Sequence, residues 1–396
     1  MPDQGSRLLL LTDKFAPHRG GTAVVYTEWC RRLREEVTVL TCALPGTDWQ
    51  SFDRQVPFRV ERVPFLNVPK VRFPLAWAWM HLRAPGLVRA VRPDVLHAGQ
   101  VLETGLSCLS LKRRFRLPLV VHTYGEEIQH YRQRRLPRKW MTRVLQGADA
   151  VTTISEYTRR NLLELGVAPE KIHFQYPGVD AAAFAGADGS KVRRRHGLGN
   201  RPVLVTVSRI LERKGHDVVL RALPRIAAAV PEVAYLVAGT GPREPVLRRL
   251  AGELGVAERV VFAGRVPDEE LADYYGAAGV FIHPNRELPN GDVEGFGIVF
   301  LEANAAGKPV IGGNSGGTPD AVVDGVTGFL IDPNDVEAVA DAAIRLLTDR
   351  DLARKLGEQG RERARTEFTW ERAVERLRAL NRKVVAEYRH PGEHKQ

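Results

Sequence analysis

The stretch "PVLVTVSRILERKGHDVVLRALPRIAAAVPEVAYLVAGTG", Pro202 to Gly241, decides the fold. A short apolar run leads through a charged bend into a helix-length amphipathic segment, and a second apolar run closes on glycines. Short apolar runs bounded by Gly or Pro suit strands buried on both faces. Their alternation with helices implies a parallel sheet with right-handed crossovers. The same alternation fills the chain. Strands are predicted at "RLLLLT", "VTVLT", "DVLHAG", "PLVVHTYG", "AVTTIS" and "IHFQYP" in the first half. They are predicted at "PVLVTVS", "AYLVAGTG", "VVFAGRV", "GVFIHP", "KPVIGG" and "TGFLID" in the second. The fold class is therefore α/β, with two Rossmann-like domains.

A length of 396 residues fits two domains of roughly 180 residues each. The break is predicted near "GVDAAAFAGADGSKVRRRHGLGNRP", with domains 1–185 and 186–370 and a helical tail from 371 to 396. Thr369 is the expected N-cap of the last helix, Leu377 and Leu380 lie on its apolar face, and "HPGEHKQ" should fray. Domains of this kind bind ligands at the carboxyl ends of their strands, so a cleft between the two is the expected active site.

Cys30, Cys42 and Cys108 lie far apart, without ligand spacing, so reduced thiols and no structural zinc are expected. No HExxH occurs. The opening "MPDQGSRLLLLTDKF" reads as a first strand rather than a signal peptide, and no apolar run is long enough to span a bilayer. Residues 1–190 hold 27 Lys/Arg against 18 Asp/Glu, whereas residues 191–396 hold 31 against 29. The net charge of +11 thus lies mostly in the first half. Such an excess suits an anionic partner, or simply reflects an Arg-rich composition. No module with stacking aromatics supports nucleic-acid binding.

"NGDVEGFGIVFLEANAAG" carries Glu294 in a Gly-rich bend and Glu302 in what reads as an apolar helix, with seven residues between them. One element could grip three groups: sugar hydroxyls at Glu294, a phosphate at the N–H groups of Phe296, Gly297 and Ile298, and a ribose at Glu302. Eight helical positions would separate the acids by roughly 12 Å. On spacing alone the pair also reads as a capping acid and a core-rim acid. In "VSRILERKGHD", Arg209 and Lys214 follow a buried strand and could hold a diphosphate, or form a solvated basic loop. "FAPHRGGTAVV" places Gly21 between strand and helix, and "AGTGPRE" places Gly239 and Gly241 after one. Neither has the dinucleotide fingerprint spacing. His122 ends a first-domain strand, where either catalysis or structural hydrogen bonding is open to it.

Taken together, "HPNRELPNGDVEGFGIVFLEANAAGKPVI", "GGNSGGTPDAV", "SRILERKG" and "AGTGP" resemble the retaining glycosyltransferases of family 4, over nearly the whole length. The resemblance implies a GT-B fold, with the C-terminal helices returning to the first domain. It implies donor-sugar and ribose contacts at Glu294 and Glu302, and diphosphate contacts at Arg209 and Lys214. Gly21 and His122 would line the reacting centre, and Arg265 is counted with Gly239 and Gly241 among the donor-binding residues. The long loop "HPNRELPNGDVEG" departs from many members but is similar to that of bacterial GDP-mannose-dependent phosphatidylinositol mannosyltransferases. The implied reaction is metal- and cofactor-independent, front-face transfer of a hexosyl group, mannosyl favoured, from a GDP- or UDP-sugar. The implied acceptor is lipid-linked or a glycan. A soluble small-molecule acceptor and a nucleotide-sugar epimerase on the same scaffold are the alternatives. The stretch around residues 73–92, with Trp77, Trp79, Met80, Leu82, Arg83, Arg89 and Arg92, together with "LKRRFR" and "YRQRRLPRKW", suits an anionic membrane surface. A partly buried helix with a solvated Arg face would read the same way. The expected location is cytoplasmic, peripheral on the membrane.

Overall fold

The computed structural model describes residues 6–18, 20–65 and 72–390. Residues 391–396, most of the tail expected to fray, lie outside these. The chain divides into two compact units. The first runs to Gly178 and takes up the chain again at Trp370; the second is Val179–Thr369.

The first unit is built on seven strands: β1 (Leu8–Leu11), β2 (Val37–Ala43), β3 (Arg59–Pro64), β4 (Val95–Ala98), β5 (Leu119–His122), β6 (Ala150–Thr153) and β7 (Ile172–Phe174). All pair in parallel, in the order β3-β2-β1-β4-β5-β6-β7. β1 is the centre of growth: Leu8 stands beside Val37 on one side and Val95 on the other. Its four leucines are all buried, because helices cover both faces of a parallel sheet. The second unit holds β8 (Val203–Val207), β9 (Ala234–Ala238), β10 (Val260–Gly264), β11 (Val280–His283), β12 (Val310–Gly313) and β13 (Gly328–Ile331). They run β10-β9-β8-β11-β12-β13, again all parallel. In each sheet the winding reverses at one point, between β1 and β4 and between β8 and β11. At such points successive loops leave in opposite directions and open a crevice at the strands' carboxyl ends.

Two expectations change. The division falls between Gly178 and Val179 rather than at 185. Val179 already belongs to the second unit, where its N–H bonds the Phe368 carbonyl at 2.7 Å and it bridges Thr369. β3 was not anticipated. It is an edge strand whose sequence, Arg-Val-Glu-Arg-Val-Pro, leaves most side chains partly exposed, so no apolar run marks it.

The helix Trp370–Arg389 completes the first unit. Leu377 and Leu380 are buried, as their spacing suggested. Arg32 meets Glu371 at 2.8 Å and Arg378 meets Glu36 at 2.7 Å. Deeper in, Asn381 Oδ1 lies 2.9 Å from His97 Nε2, His97 Nδ1 lies 2.9 Å from His122 Nε2, and His122 Nδ1 lies 2.7 Å from Thr152 Oγ1. One assignment satisfies every atom. The Thr152 hydroxyl donates to His122, His122 to His97, and His97 to the Asn381 carbonyl oxygen. Both rings are then neutral, and burial accordingly pushes His97 down to about 4 and His122 well below the usual imidazole range. Asn381→Leu strands one buried ring nitrogen whichever way the chain of hydrogen bonds runs. We expect a loss of about 1–3 kcal/mol in unfolding free energy, measured by urea denaturation. Leu in place of Ala at the exposed position 386 of the same helix should leave stability nearly unchanged.

Candidate functional site

In the second unit the crevice between β8 and β11 gathers most of the anticipated residues. The loop after β8 passes through Arg209 and the short turn Glu212–Lys214 into the helix His216–Ala229. The loop after β11 carries Glu294 to the helix Ile298–Ala305. Glu294 sits in the Gly-rich bend before that helix, as expected, and Glu302 is the helix's fifth residue. The separation derived from helical rise therefore does not apply.

Glu294 is held by two buried cations. Arg213 Nη1 donates to Oε2 at 2.9 Å, and Lys214 Nζ donates to the same oxygen. Burial alone would raise this carboxyl. Lys214 and Arg213 outweigh it and hold the group down at about 2, an ionised acid in a protected place. Lys214 itself is pulled below the ordinary lysine range by burial, against the opposing pull of Glu294. Arg209 stands exposed at the carboxyl end of β8, and among the described residues its guanidinium has no hydrogen-bond or ion-pair partner. A fixed anion between two cations, with a further cation facing out, can recognise a polar ligand that carries negative charge.

Glu302 is oriented by a residue that the sequence did not bring forward. Tyr275, fully buried on the helix Leu271–Gly276, donates its hydroxyl to Oε2 at 2.6 Å. Burial raises the Glu302 carboxyl. The helix Ile298–Ala305 presents its first N–H groups without partners inside the helix, at Gly297 and Ile298 where a phosphate site was expected. Phe296 is buried, its ring 5.8 Å from that of Phe368. His283, at the end of β11, was also missed. It is wholly buried, stacked on Phe300 at 5.4 Å, and neither ring nitrogen has a hydrogen-bond partner among the described residues.

Gly239 and Gly241 have a packing duty. A Cβ on Gly239 would lie 1.9 Å from the Ser208 carbonyl oxygen, and one on Gly241 would lie 2.3 Å from that of Ile210. Their lack of side chains lets the loop after β9 seat the backbone that carries Arg209. Arg265 stands exposed after β10, the edge strand, with β9 between it and β8.

In the first unit, His122 corrects the expectation that it lines a reacting centre. It is 1% exposed, both ring nitrogens are engaged, and the rings of Tyr26, Trp29 and His97 enclose it. Gly21 opens the helix Gly21–Leu33, and a Cβ there would meet open space, so packing does not require glycine. Asp13, Glu103 and Glu127 gather beyond β1, β4 and β5 and repel one another. Burial pushes Asp13 up to about 6 and Glu127 up to about 7. Glu127 Oε1 accepts the Tyr124 N–H at 2.7 Å, and Glu103 accepts from Tyr131.

The helices Arg72–Val91, Gly105–Phe115 and Arg135–Gly147 expose Trp79, Leu82, Leu106, Leu136 and Trp140. His81 and Ser107 tie the first two helices together at 3.1 Å. A surface groove of about 450 Å³ between the second and third is lined by Leu106, Trp140, Arg113, Arg114 and Arg143. Met80 and Trp77, expected in this surface, instead pack into or against the core. No helix among the described residues is long and apolar enough to cross a membrane.

Two parallel sheets with reversed winding, and a charged crevice beside the middle strand of one, define a class of ligand-binding α/β enzymes; the comparisons narrow it. Residues 189–363 match the family model "Glycosyl transferases group 1", and residues 19–183 match "Glycosyltransferase Family 4". The chain is 35% identical over 394 residues to a GDP-mannose-dependent alpha-(1-6)-phosphatidylinositol monomannoside mannosyltransferase of Mycobacterium tuberculosis, covering 94% of this chain and 97% of that one. It is 36% identical over 257 residues to the D-inositol 3-phosphate glycosyltransferase of Acidothermus cellulolyticus, covering 62% and 56%. Among solved structures, Anabaena HepE with UDP and glucose superposes with TM-score 0.79 at 21% identity, covering 96% and 100%. Sucrose-phosphate synthase from Thermosynechococcus elongatus gives 0.79 at 23%, covering 96% and 99%. The chain belongs to glycosyltransferase family 4, has the GT-B fold and is a hexosyltransferase.

Glu127 offers a test of the acidic group. Its folded pKa lies above its unfolded value of 4.5, so its stabilising contribution is present below that value and is lost as pH rises through about 7. Glu127→Gln keeps the acceptor for Tyr124 and removes the charge. The variant should match the wild type near pH 4.5 and become progressively the more stable of the two up to pH 8, read from thermal unfolding of both across that range.

Proposed function

We propose that the protein transfers a mannosyl group from GDP-mannose to a hydroxyl of a phosphoinositide-type lipid, retaining the anomeric configuration and needing no metal. The observation that carries the reading is the Glu294 carboxylate fixed between Arg213 and Lys214 at the β8/β11 crevice, with Arg209 facing outward. Full-length relatives named for GDP-mannose and phosphatidylinositol mannosides support the choice of donor and acceptor.

Arg209 and Lys214 meet the diphosphate, aided by the N–H groups at the start of the helix Ile298–Ala305. Glu294 accepts hydrogen bonds from sugar hydroxyls, and Glu302, oriented by Tyr275, accepts from the ribose. The bond between the sugar's anomeric carbon and the diphosphate oxygen breaks. The acceptor oxygen bonds to that carbon from the same face, and its proton passes to the departing phosphate. The cations stabilise charge that grows on the leaving group, which is the work a metal ion does in other transferases.

Hydrolysis and thermal shift with GDP-, UDP- and ADP-sugars test the donor. GDP-mannose should be preferred, the product should retain its anomeric configuration by NMR, and EDTA should leave the rate unchanged. Arg209→Ala and Lys214→Ala should each lower turnover on the order of a hundredfold. Mn²⁺-dependent activity that survives both changes would overturn the mechanism. An epimerised sugar formed without acceptor would establish the epimerase alternative.

The acceptor reading rests on the first unit, where exposed Trp79, Leu82, Leu136 and Trp140 stand with Arg113, Arg114 and Arg143. Apolar side chains edged by arginine suit an anionic bilayer surface, each cation near it contributing about 1 kcal/mol at low salt. Vesicle sedimentation should show binding to anionic but not neutral lipid, weakening as salt rises. Trp140→Ser should reduce it. Equal binding to both lipids, or to neither, would favour a soluble acceptor.

A further inference from the structure

We propose that Arg213 is a positioning residue for sugar transfer: it keeps the Glu294 carboxylate in place so that Lys214 can leave that carboxylate for the donor diphosphate. The inference rests on the reading of this crevice as the donor site.

Arg213 and Lys214 converge on one oxygen, Glu294 Oε2, although a single cation would neutralise the charge. The two differ in what else they hold. Arg213 Nε also lies 2.8 Å from Asp292 Oδ1 as an ion pair, so its guanidinium sits between two carboxylates two residues apart on the loop after β11. Lys214 has only Glu294 as an ion-pair partner among the described residues. A second tie runs the other way. Arg286, on the β11 loop, meets both oxygens of Asp217 at 3.0 and 3.1 Å on the helix after Lys214, and its N–H bonds the Arg213 carbonyl at 2.8 Å. The two loops also touch through backbone: a Cβ on Gly215 would lie 2.0 Å from the Pro284 carbonyl oxygen. The long segment "HPNRELPNGDVEG" is thus strapped to the Lys214 loop by reciprocal arginines.

The charge count explains the doubling. Asp292 and Glu294 carry two negative charges, and Arg213 and Lys214 carry two positive ones. An arriving diphosphate competes for Lys214. If Lys214 were the sole partner of Glu294, its departure would leave a buried carboxylate unpaired, a costly arrangement. With Arg213 still in place, Glu294 remains ionised and aimed, and Lys214 is free to turn. The groups facing Glu294 are Lys214, Arg213 and His283, and burial keeps His283 neutral, so it cannot take Arg213's place.

Removing Arg213 should therefore couple diphosphate binding to protonation of Glu294. GDP binding is measured by calorimetry from pH 6 to 8, in buffers of different ionisation enthalpy. Relative to the wild type, Arg213→Gln should bind GDP about tenfold more weakly at pH 8, recover affinity toward pH 6, and take up an additional proton on binding. Adding Glu294→Gln to Arg213→Gln should restore GDP affinity at pH 8, because no buried charge is left behind. Arg213→Lys, which keeps a cation but lacks the guanidinium, should show the same defect in smaller measure and covers the case in which Arg213→Gln does not fold. Arg286→Gln cuts the reciprocal strap without touching Glu294 and should show no pH-linked loss. The proposal is overturned if Arg213→Gln binds GDP as the wild type does at every pH, or if Arg286→Gln reproduces its pH dependence. If the wild-type protein binds no nucleoside diphosphate, the donor-site reading falls, and this inference with it.

Discussion

Parallel strands cannot be joined without a crossover, and right-handed crossovers cover both faces of an open sheet only if the winding reverses within it. Everything functional in the second unit follows from that reversal. The loops after β8 and β11 leave their neighbouring strands toward opposite sides, and between them lies a place where side chains from distant parts of the sequence can meet without filling a core. Arg213 and Glu294 are separated by 81 residues and joined at 2.9 Å. No local preference could arrange this; sheet order does.

Having made a crevice, the chain puts charge in it and must hold that charge ionised. Glu294 loses solvent but gains two cations, and the second gain exceeds the first. Glu302 loses solvent and gains only a hydroxyl, so its carboxyl is raised instead. Two acids on one short segment are thus driven in opposite directions by their neighbours. In the first unit, burial outweighs the opposing pull of Lys14 and raises Asp13 and Glu127, while His97 and His122 answer burial by staying neutral.

The buried strands were legible because a strand covered on both faces has little choice of residue. All six of the second unit fall where apolar runs placed them, and so do six of the first unit's seven. β3 escaped because an edge strand need hide little of itself. In the site, Arg209, Lys214, Glu294 and Glu302 could be read because charges beside apolar runs stand out. Arg213, Tyr275 and His283 could not. Arg213 looks like one more cation in a basic loop, and Tyr275 and His283 look like core. Their roles depend on what lies across the crevice, which no spacing along the chain encodes. His122 misled for the converse reason. Its position at a strand end was right for a site, yet a partner 25 residues away, with Asn381 behind it, closes it in.

That closure has a consequence for how the protein comes to be made. The chain finishes its first unit with its last helix: Asn381 lies 284 residues beyond His97, and Glu371 lies 339 beyond Arg32. During synthesis the first sheet emerges early but lacks one of its helices until the whole second unit has been translated. For that interval, seconds to tens of seconds at ordinary elongation rates, the groove that will receive Leu377, Leu380 and Val384 is uncovered, with a histidine pair lacking its terminal acceptor. The second unit, continuous in sequence from Val179 to Thr369, carries no such debt and can fold as soon as it leaves the ribosome. The order of translation is therefore not the order of completion: the first unit to appear is the last to be finished.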